Sequence, residues 1–543
     1  MGDIGLIDVM TSHKTAPANG ISQHPTDPSA TFRLRLIFFI ILGTGIALRV
    51  LRVIHTPVIS PDSVGYIHNA LAIRTEGLRS LFLNGFGGNF SVYPILIYLV
   101  DLLVENPILS GQLVSLFFGC LLIVPIYLLT KEMMGARAGL IAAFLAAVHP
   151  HLIRYSAEVL KDSMLFFFAI ASVILALWGQ KRKNYLMIFL AGLAAWTTCL
   201  VRVYGIAVVA GISVAIIASG LLDRRRWHVI ARELLLFTVP VPAAGYLLFI
   251  VLMGAGNEYI LQSLVNLFIS VAERFRAVGS YRDILITHNP GVDPEYLDVI
   301  TSHPRLSALR EFVDVLVTAF TGFLFGLFLP GVYLNRTSLL KRGPGLFVLS
   351  CAATLILVNV LMLMAVFFLS KRHVMILVIL LLPWSAFALD RLILWCWEQV
   401  RKKYRIERQT FYRIVTVAFF IWVIMELVLS SYLDPGIDKY YYRKAAGEYI
   451  KGLGSPNPSL LIPRSDSILT FYSGGTEIVL DDATTLGQTI AEKRPDFIAW
   501  DTAARPLPEG IAALLDMGVI EQINTIERTV DGESIVIYRI RKD

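Results

Sequence analysis

Long apolar runs recur along most of this chain, and they constrain its fold more than any other feature. Short polar stretches separate the runs, and a helix needs about 20 apolar residues to cross a bilayer. Of the 543 residues, 56% are hydrophobic and only 16% are charged, whereas a soluble protein carries about 25% charged residues. The sequence therefore predicts a polytopic α-helical membrane protein.

We expect about eleven transmembrane helices, each judged against that bilayer length. They are predicted at residues 36–53, 108–129, 138–148, 163–178, 185–199, 204–221, 234–253, 312–329, 346–369, 374–389 and 411–429. Together they are expected to form one transmembrane domain over residues 33–432.

The two ends of the chain differ from this apolar middle. Residues 1–32 are polar, contain Pro, Ser and Thr and lack a signal-peptide pattern, which predicts a disordered cytoplasmic tail. Residues 433–543 alternate between strand-like and helix-like patterns, which predicts an α/β domain outside the membrane. No Gly-rich phosphate loop follows a predicted strand there, so we expect no nucleotide site in this domain.

The basic residues set the expected topology. Their clusters lie at residues 131–137, 181–183, 224–226 and 401–405. The apolar segment 94–104 gives only about 16 Å of helix, and Asp101 interrupts it. Counting it as a span would place every cluster outside, against the positive-inside rule, so we expect an interfacial helix within a long outer loop, residues 56–107. The net charge of +7 thus reflects topology and does not indicate nucleic acid.

Three carboxylates are predicted at the outer ends of spans, in a chain that otherwise avoids charge. Asp62 opens the first outer loop, and Glu158 and Asp162 lie in the second. Four residues apart, Glu158 and Asp162 would share one face of a helix. Such groups can orient a hydroxyl or bind a divalent cation. The alternatives are a helix N-cap for Asp62 and an inert surface salt bridge for the pair.

Several basic residues lie on the predicted outer side, against the positive-inside bias, so their positions also require an explanation. Lys371 and Arg372 precede a late span, Arg202 lies at an outer turn, and Arg154 flanks the pair of acids in the second loop. Phosphate recognition through charge-assisted hydrogen bonds would explain them. The alternative is snorkelling at helix ends.

Several short motifs resemble the GT-C superfamily of membrane glycosyltransferases. They are an Asp after the first span, the pattern Tyr93, Pro94 and Tyr98, the stretch RYSAEVLKDSMLFF, and the stretch RHVMILVILLLP. The resemblance covers most of residues 33–390 and is closest to protein O-mannosyltransferases, aminoarabinose transferases and bacterial Rgt-type sugar transferases.

The resemblance implies a polyprenyl-phosphate sugar donor, inversion at the anomeric carbon, and a site outside the cytoplasmic (inner) membrane. Asp62 matches the catalytic acid of the first loop, Asp162 the acid of the second outer loop, and Arg372 the basic residue facing the carrier phosphate. The chain departs from the family in one place, because Ser63 follows Asp62 where many members carry Asp-Glu. Glu158 could supply that second acid.

The expected function is therefore transfer of a sugar to a hydroxyl of a glycan, lipid or protein. Asp62 acts as general base, and Arg372, Lys371, Arg202 and Arg154 are candidates for holding the donor phosphate. Together with Asp62, Asp162 and Glu158 could also hold Mg²⁺ or Mn²⁺.

The main alternative is a lipid or sugar transporter or flippase, which tends to place ionisable groups and repeats near the bilayer midplane. Here the acids fall at outer span ends, and no fixed repeat occurs in the sequence. A non-catalytic sensor is a second alternative, but it would leave the first loop and its cations unexplained.

Overall fold

A computed structural model describes residues 28–78, 80, 91–240, 304–336, 343–366, 369–404, isolated positions between 410 and 425, and residues 435–480, 486–528 and 533–541. Within these residues, six helices are long and apolar enough to cross a membrane, or up to eight if two bent pairs each form one span. The protein is a multi-pass membrane protein. The described residues do not establish eleven spans.

The membrane part contains α1 (Pro28–Ile54), α2 (Pro61–Glu76), α3 (Tyr93–Val104), α4 (Pro107–Leu121), α5 (Ile123–Met134), α6 (Ala136–Val148), α7 (Pro150–Ala157), α8 (Asp162–Lys181), α9 (Tyr185–Val201), α10 (Ile206–Leu222), α11 (Trp227–Thr238), α12 (Pro304–Phe320), α13 (Gly322–Leu334), α14 (Pro344–Val366) and α15 (Lys371–Tyr404). The predicted tail up to residue 27, the span 234–253 beyond residue 240, and most of 411–429 lie outside the described residues.

Small residues bring α1 and α6 close together. Ala142, Ala143, Ala146 and Ala147 of α6 are fully buried. A Cβ added at Gly45 of α1 would lie 3.0 Å from Ala147 Cβ and would collide with Ile123 Cδ1 at 2.6 Å. Lipid tails are as apolar as Leu, so close backbone packing takes over the role that the hydrophobic effect has in water. This packing fixes α6 against α1, in a small apolar cluster apart from the main core.

Two predicted spans are bent rather than straight. Helices α6 and α7 meet at 54°, where Pro150 lacks the N–H that would continue the helix. Helices α12 and α13 meet at 102° at Thr321, which has a φ of 63°. The prediction of one straight helix over 312–329 is therefore wrong, and the short predicted span 138–148 gains its length from α7.

In the part of the long first loop that the structure describes, there are two helices. The 16-residue α2 follows α1, and the 12-residue α3 buries Tyr93, Ile97 and Asp101 while Leu102 and Leu103 stay exposed. This one-sided burial agrees with the expected interfacial helix.

The two ends of the bundle carry different chemistry. At one end Arg137 pairs with Asp390 at 3.0 Å and Lys181 pairs with Glu132. Asp390 follows Arg372 on α15 by about 18 residues, which is roughly 27 Å of helix. The predicted cytoplasmic clusters and the predicted outer residues therefore lie about one bilayer thickness apart.

The carboxyl-terminal part folds around a five-stranded sheet with strand order β2-β1-β3-β5-β4. Its elements are α16 (Pro435–Gly452), β1 (Ser459–Ile462), α17 (Ser467–Ser473), β2 (Thr476–Val479), α18 (Leu486–Lys493), β3 (Phe497–Asp501), α19 (Glu509–Asp516), β4 (Ile520–Glu527) and β5 (Ser534–Ile540). Strands β2, β1 and β3 are parallel, whereas β5 is antiparallel to both of its neighbours.

This sheet domain contacts the segment that leads into α2. Lys444 Nζ donates to the carbonyl of Pro57 at 2.9 Å, and Tyr472 Oη accepts from the backbone N–H of Ile59 at 3.4 Å. The ring of Phe471 lies 5.7 Å from that of His68. Through these contacts the sheet domain holds the first half of α2 and the segment before it in place.

Candidate active site

Asp62 lies in the first turn of α2, beside a cluster of cations. Ser60 occupies the N-cap position and Pro61 begins the helix, so the alternative that Asp62 is the cap is wrong. Ser63 Oγ accepts from the Ser60 N–H at 3.3 Å and donates to the Val159 carbonyl at 3.0 Å. The serine that replaces a second acid therefore connects the loop after α1 with the segment between α7 and α8.

The carboxylate of Asp62 forms an ion pair with Arg372. Arg372 lies in the first turn of α15, and both side chains stay partly accessible, at 33% for Asp62 and 24% for Arg372. Lys371, one residue earlier, is exposed. Arg372 and Lys371 are therefore adjacent in sequence but have different surroundings in the structure.

A second ion pair lies beside the first. Arg202 Nη1 is 3.1 Å from Asp162 Oδ1, and the Asp162 side chain is fully buried in the first turn of α8. Burial lowers the pKa of Arg202, but the Asp162 carboxylate, Tyr204 and Tyr66 together outweigh burial and raise that pKa above its usual value. Asp162 Oδ2 is also buried and has no hydrogen-bond partner among the described residues. This pair keeps a permanent cation at the site.

Lys161 and Tyr66 complete the cluster. Lys161 Nζ lies 5.3 Å from the centre of the Tyr66 ring. Burial lowers the pKa of Lys161 to about 8, and Arg202 acts in the same direction while Asp162 opposes it. The sequence analysis assigned no role to either residue, although Lys161 flanks the acids of the second loop and a lysine at a span end in a chain poor in charge is itself a signal. We call Asp62, Tyr66, Lys161, Asp162, Arg202 and Arg372 the ion-pair cluster.

Glu158 and Arg154 form a separate pair. Arg154 Nε lies 2.6 Å from Glu158 Oε1. Helix α7 ends at Ala157, and Glu158 has an extended backbone with φ −87° and ψ 155°, so the predicted helix face shared by Glu158 and Asp162 is wrong. Arg154 consequently lies outside the ion-pair cluster.

The carboxylates do not form a metal site where they lie. Asp62, Asp162 and Glu158 each pair with a different arginine. Across the described ranges, no three His, Cys, Asp or Glu side chains gather as a metal site requires. The Mg²⁺ or Mn²⁺ site predicted from these three residues has no support in this geometry.

Comparison with a protein family matches the middle of the chain. Residues 91–244 match the sequence model of the dolichyl-phosphate-mannose-protein mannosyltransferase family. This stretch includes Glu158, Asp162 and Arg202, and it ends before Arg372. Comparison with curated protein sequences finds no significant match.

Solved structures of similar fold cover more of the chain. ArnT from Cupriavidus metallidurans, bound to undecaprenyl phosphate, has a TM-score of 0.50 at 13% identity, over 95% of this chain and 98% of that one. The Archaeoglobus fulgidus oligosaccharyltransferase, in a complex with Zn and sulfate, has a TM-score of 0.55 at 15% identity, over 86% and 68%. The oligosaccharyltransferase AglB from the same organism, with an inhibitory peptide and a dolichol-phosphate, gives 0.52 at 13%, over 88% and 70%.

These matches confirm the resemblance to GT-C membrane glycosyltransferases that the sequence motifs predicted. The structural likeness concerns the fold. The roles of individual residues have to be argued from the geometry of the ion-pair cluster.

Proposed function

We propose that this chain is a GT-C-type glycosyltransferase that moves a sugar from a polyprenyl-phosphate donor to an acceptor hydroxyl at the outer face of the membrane. The ion-pair cluster carries the proposal, since it places a partly accessible carboxylate beside three cations at one end of the bundle. The undecaprenyl phosphate and dolichol-phosphate bound by the fold relatives support a lipid-linked donor.

The cations suit the donor phosphate. Among the residues that the structure describes, Arg372, Arg202 and Lys161 face two carboxylates, Asp62 and Asp162, so the cluster can accept one more negative charge. Arginine grips two phosphate oxygens at once, and a lysine adds a point charge. The prenyl chain would lie along the apolar spans, where no polar group has to be desolvated.

Asp62 is the proposed general base. The acceptor oxygen attacks the anomeric carbon, the bond from that carbon to the phosphate oxygen breaks, and the acceptor proton passes to Asp62. Polyprenyl phosphate leaves with the electron pair of the broken bond, and attack from the opposite face inverts the carbon. Arg372 links the two events, because a guanidinium drawn to the donor phosphate releases Asp62 to accept the proton.

Asp162 is proposed as a positioning residue. It is fully buried and holds Arg202, so its charge compensates a cation that would otherwise be costly to bury. Lys371 and Arg154, two further candidates for the donor phosphate, lie outside the cluster, which leaves Arg372 and Arg202 as the principal ligands.

Sugar transfer by the purified protein tests the proposal. Liposomes would carry radiolabelled polyprenyl-phosphate sugars, and release of labelled sugar to acceptors or to water would be measured. Asp62→Asn keeps the shape but removes basicity, so we expect transfer to fall by roughly a hundredfold to ten-thousandfold. Glu76→Gln, the same change on the exposed end of α2, should transfer at the parent rate. Transfer within a few-fold of the parent in Asp62→Asn would overturn the assignment of the base.

A further inference from the structure

Two side chains of the sheet domain bind the backbone of the segment that leads from α1 into α2. Residues 56–60 form neither helix nor strand, so their backbone groups depend on other partners. Lys444 Nζ of α16 donates to the Pro57 carbonyl at 2.9 Å, and the Ile59 N–H donates to Tyr472 Oη of α17 at 3.4 Å. The sheet domain therefore contacts the chain directly before α2 begins.

The two side chains also contact each other. Lys444 Nζ is 5.2 Å from the centre of the Tyr472 ring, a distance at which an ammonium is attracted to the face of an aromatic ring. Glu448, one turn further along α16, lies 3.7 Å from Lys444 Nζ and helps to orient it. Lys444 and Tyr472 therefore act on the segment as one unit, which we call the backbone clamp.

The helices that carry the backbone clamp are fixed to the sheet. Asp466 caps α17 by accepting from the N–H groups of Ile468 at 3.1 Å and Leu469 at 3.0 Å. Arg443 of α16 lies 3.4 Å from Asp466 Oδ2, and it also lies 2.9 Å from the carboxylate of Asp501 at the end of β3. This shared arginine connects α16, α17 and β3, so the backbone clamp has a fixed position relative to the sheet.

The position of Asp62 depends on the segment that the clamp holds. Asp62 lies in the first turn of α2, three residues after Ile59. The first N–H groups of a helix lack intrahelical partners, so the entering segment helps to decide where this turn lies. A general base has to be within hydrogen-bond reach of the hydroxyl it deprotonates. A misplacement of about 1 Å can cost roughly a hundredfold in rate.

We propose that Lys444 and Tyr472 are positioning residues for sugar transfer, through which the sheet domain sets the place of Asp62. The proposal rests on the proposed function and adds two residues of the sheet domain to it. The clamp acts on the start of α2, whereas Arg372 lies on α15 and Arg202 at the end of α9. Loss of the clamp should therefore lower kcat and leave the KM for the donor nearly unchanged.

Steady-state transfer by the full-length protein in liposomes, at varied concentrations of the polyprenyl-phosphate sugar, tests this separation of kcat from KM. Lys444→Met removes the ammonium and keeps the length of the side chain. We expect its kcat to fall about tenfold, with a donor KM within about twofold of the parent. Tyr472→Phe removes only the hydroxyl and should lower kcat about threefold, because the bond it loses is longer. Lys444→Arg keeps a donor and should recover most of kcat.

Two matched controls make the same changes at exposed positions of α16. Lys451→Met and Tyr441→Phe should transfer sugar at the parent rate. A parent-like kcat in Lys444→Met, or a loss that appears in the donor KM instead of kcat, would overturn the proposal. So would a Lys444→Arg variant that is as slow as Lys444→Met.

Hydrogen exchange separates failure of the clamp from failure of the proposed function. Peptides covering residues 56–63 should exchange faster in Lys444→Met and Tyr472→Phe than in the parent, because the segment loses a partner. Peptides from β3 should exchange at the parent rate and show that the sheet domain stays folded. Unchanged exchange of residues 56–63 in both variants would contradict the clamp. If exchange rises as expected but the parent transfers no sugar from any donor, the proposed function fails and only the structural contact stands.

Discussion

Arg372 and Lys371 are neighbours in sequence with different surroundings. Arg372 pairs with Asp62 inside the cluster, whereas Lys371 is exposed at the start of α15. We expect Arg372→Ala to raise the KM for the polyprenyl-phosphate donor at least tenfold, because a bidentate phosphate ligand is lost. Lys371→Ala is the matched control and should stay within twofold. Equal effects from the two variants would contradict the assignment of Arg372 as the phosphate ligand.

Lys161 should make donor binding sensitive to pH. Burial lowers its pKa to about 8, so it loses its positive charge as the pH rises through that value. The KM for the donor should therefore increase between pH 7 and pH 9.5. Lys161→Arg keeps its charge over this range and should flatten the profile. A parent profile that is already flat, or one that Lys161→Arg leaves unchanged, would remove Lys161 from the phosphate site.

Part of this site could be predicted from single residues. Asp62, Asp162, Arg202 and Arg372 stood out because charge at a span end needs a reason in an apolar chain, and the structure brings all four together. Glu158 was grouped wrongly with Asp162, because a helix face was assumed across a segment where the chain is extended. Spacing alone does not show where a helix ends.

At the scale of elements, Arg49 bridges the break between α6 and α7. This residue of α1 is fully buried, and its guanidinium donates to the carbonyls of Ala147 at 2.9 Å and Ala146 at 3.0 Å, near the end of α6. It also donates to Ser156 Oγ of α7 at 3.2 Å. Helix ends leave carbonyls without partners, and here a side chain from another helix satisfies two of them.

Replacing Arg49 should loosen this joint. Arg49→Met leaves buried carbonyls unpaired, at a cost of roughly 1–3 kcal/mol for each. We expect a lower midpoint of thermal unfolding in detergent and a lower kcat, since α7 leads directly to Glu158 and Asp162. Arg49→Lys should lose less stability than Arg49→Met, because the lysine ammonium keeps hydrogen-bond donors, although all of them are on one nitrogen.

Arg35→Met is the matched control for that experiment. It makes the same change at an exposed position of α1 and should unfold at the parent temperature. If Arg49→Met unfolds no earlier than Arg35→Met, the bent joint does not depend on the guanidinium. Nothing in the sequence predicted this role, because an arginine near the end of an apolar run reads as a topology signal.

For the whole molecule, the sequence predicted the class and the general plan but not the assembly. Apolar runs and the composition change near residue 432 predicted a membrane bundle followed by an α/β part, and the structure has both. The bend at Thr321 and the contact of Tyr472 with the backbone of Ile59 depend on pairing between segments far apart in sequence. The hydrophobic periodicity of a single segment does not predict contacts with distant segments.

The sidedness of the molecule is the remaining large-scale prediction. The ion-pair cluster and the paired basic ends of the spans lie at opposite ends of the bundle. The positive-inside rule places the basic ends in the cytoplasm and therefore the cluster and the sheet domain outside. Single cysteines at exposed positions can report this, in a background from which Cys120, Cys199, Cys351 and Cys396 have been removed.

Thr75→Cys on α2 and Lys493→Cys on α18 should react with an impermeant maleimide added to intact cells. His228→Cys on α11, next to the basic cluster 224–226, should react only after the membrane is permeabilised. All three positions are exposed, so protection of any one of them reports the membrane rather than burial. Labelling of His228→Cys in intact cells, with Thr75→Cys protected, would invert the topology. The proposed base would then face the cytoplasm, where an outer-face transfer reaction could not occur.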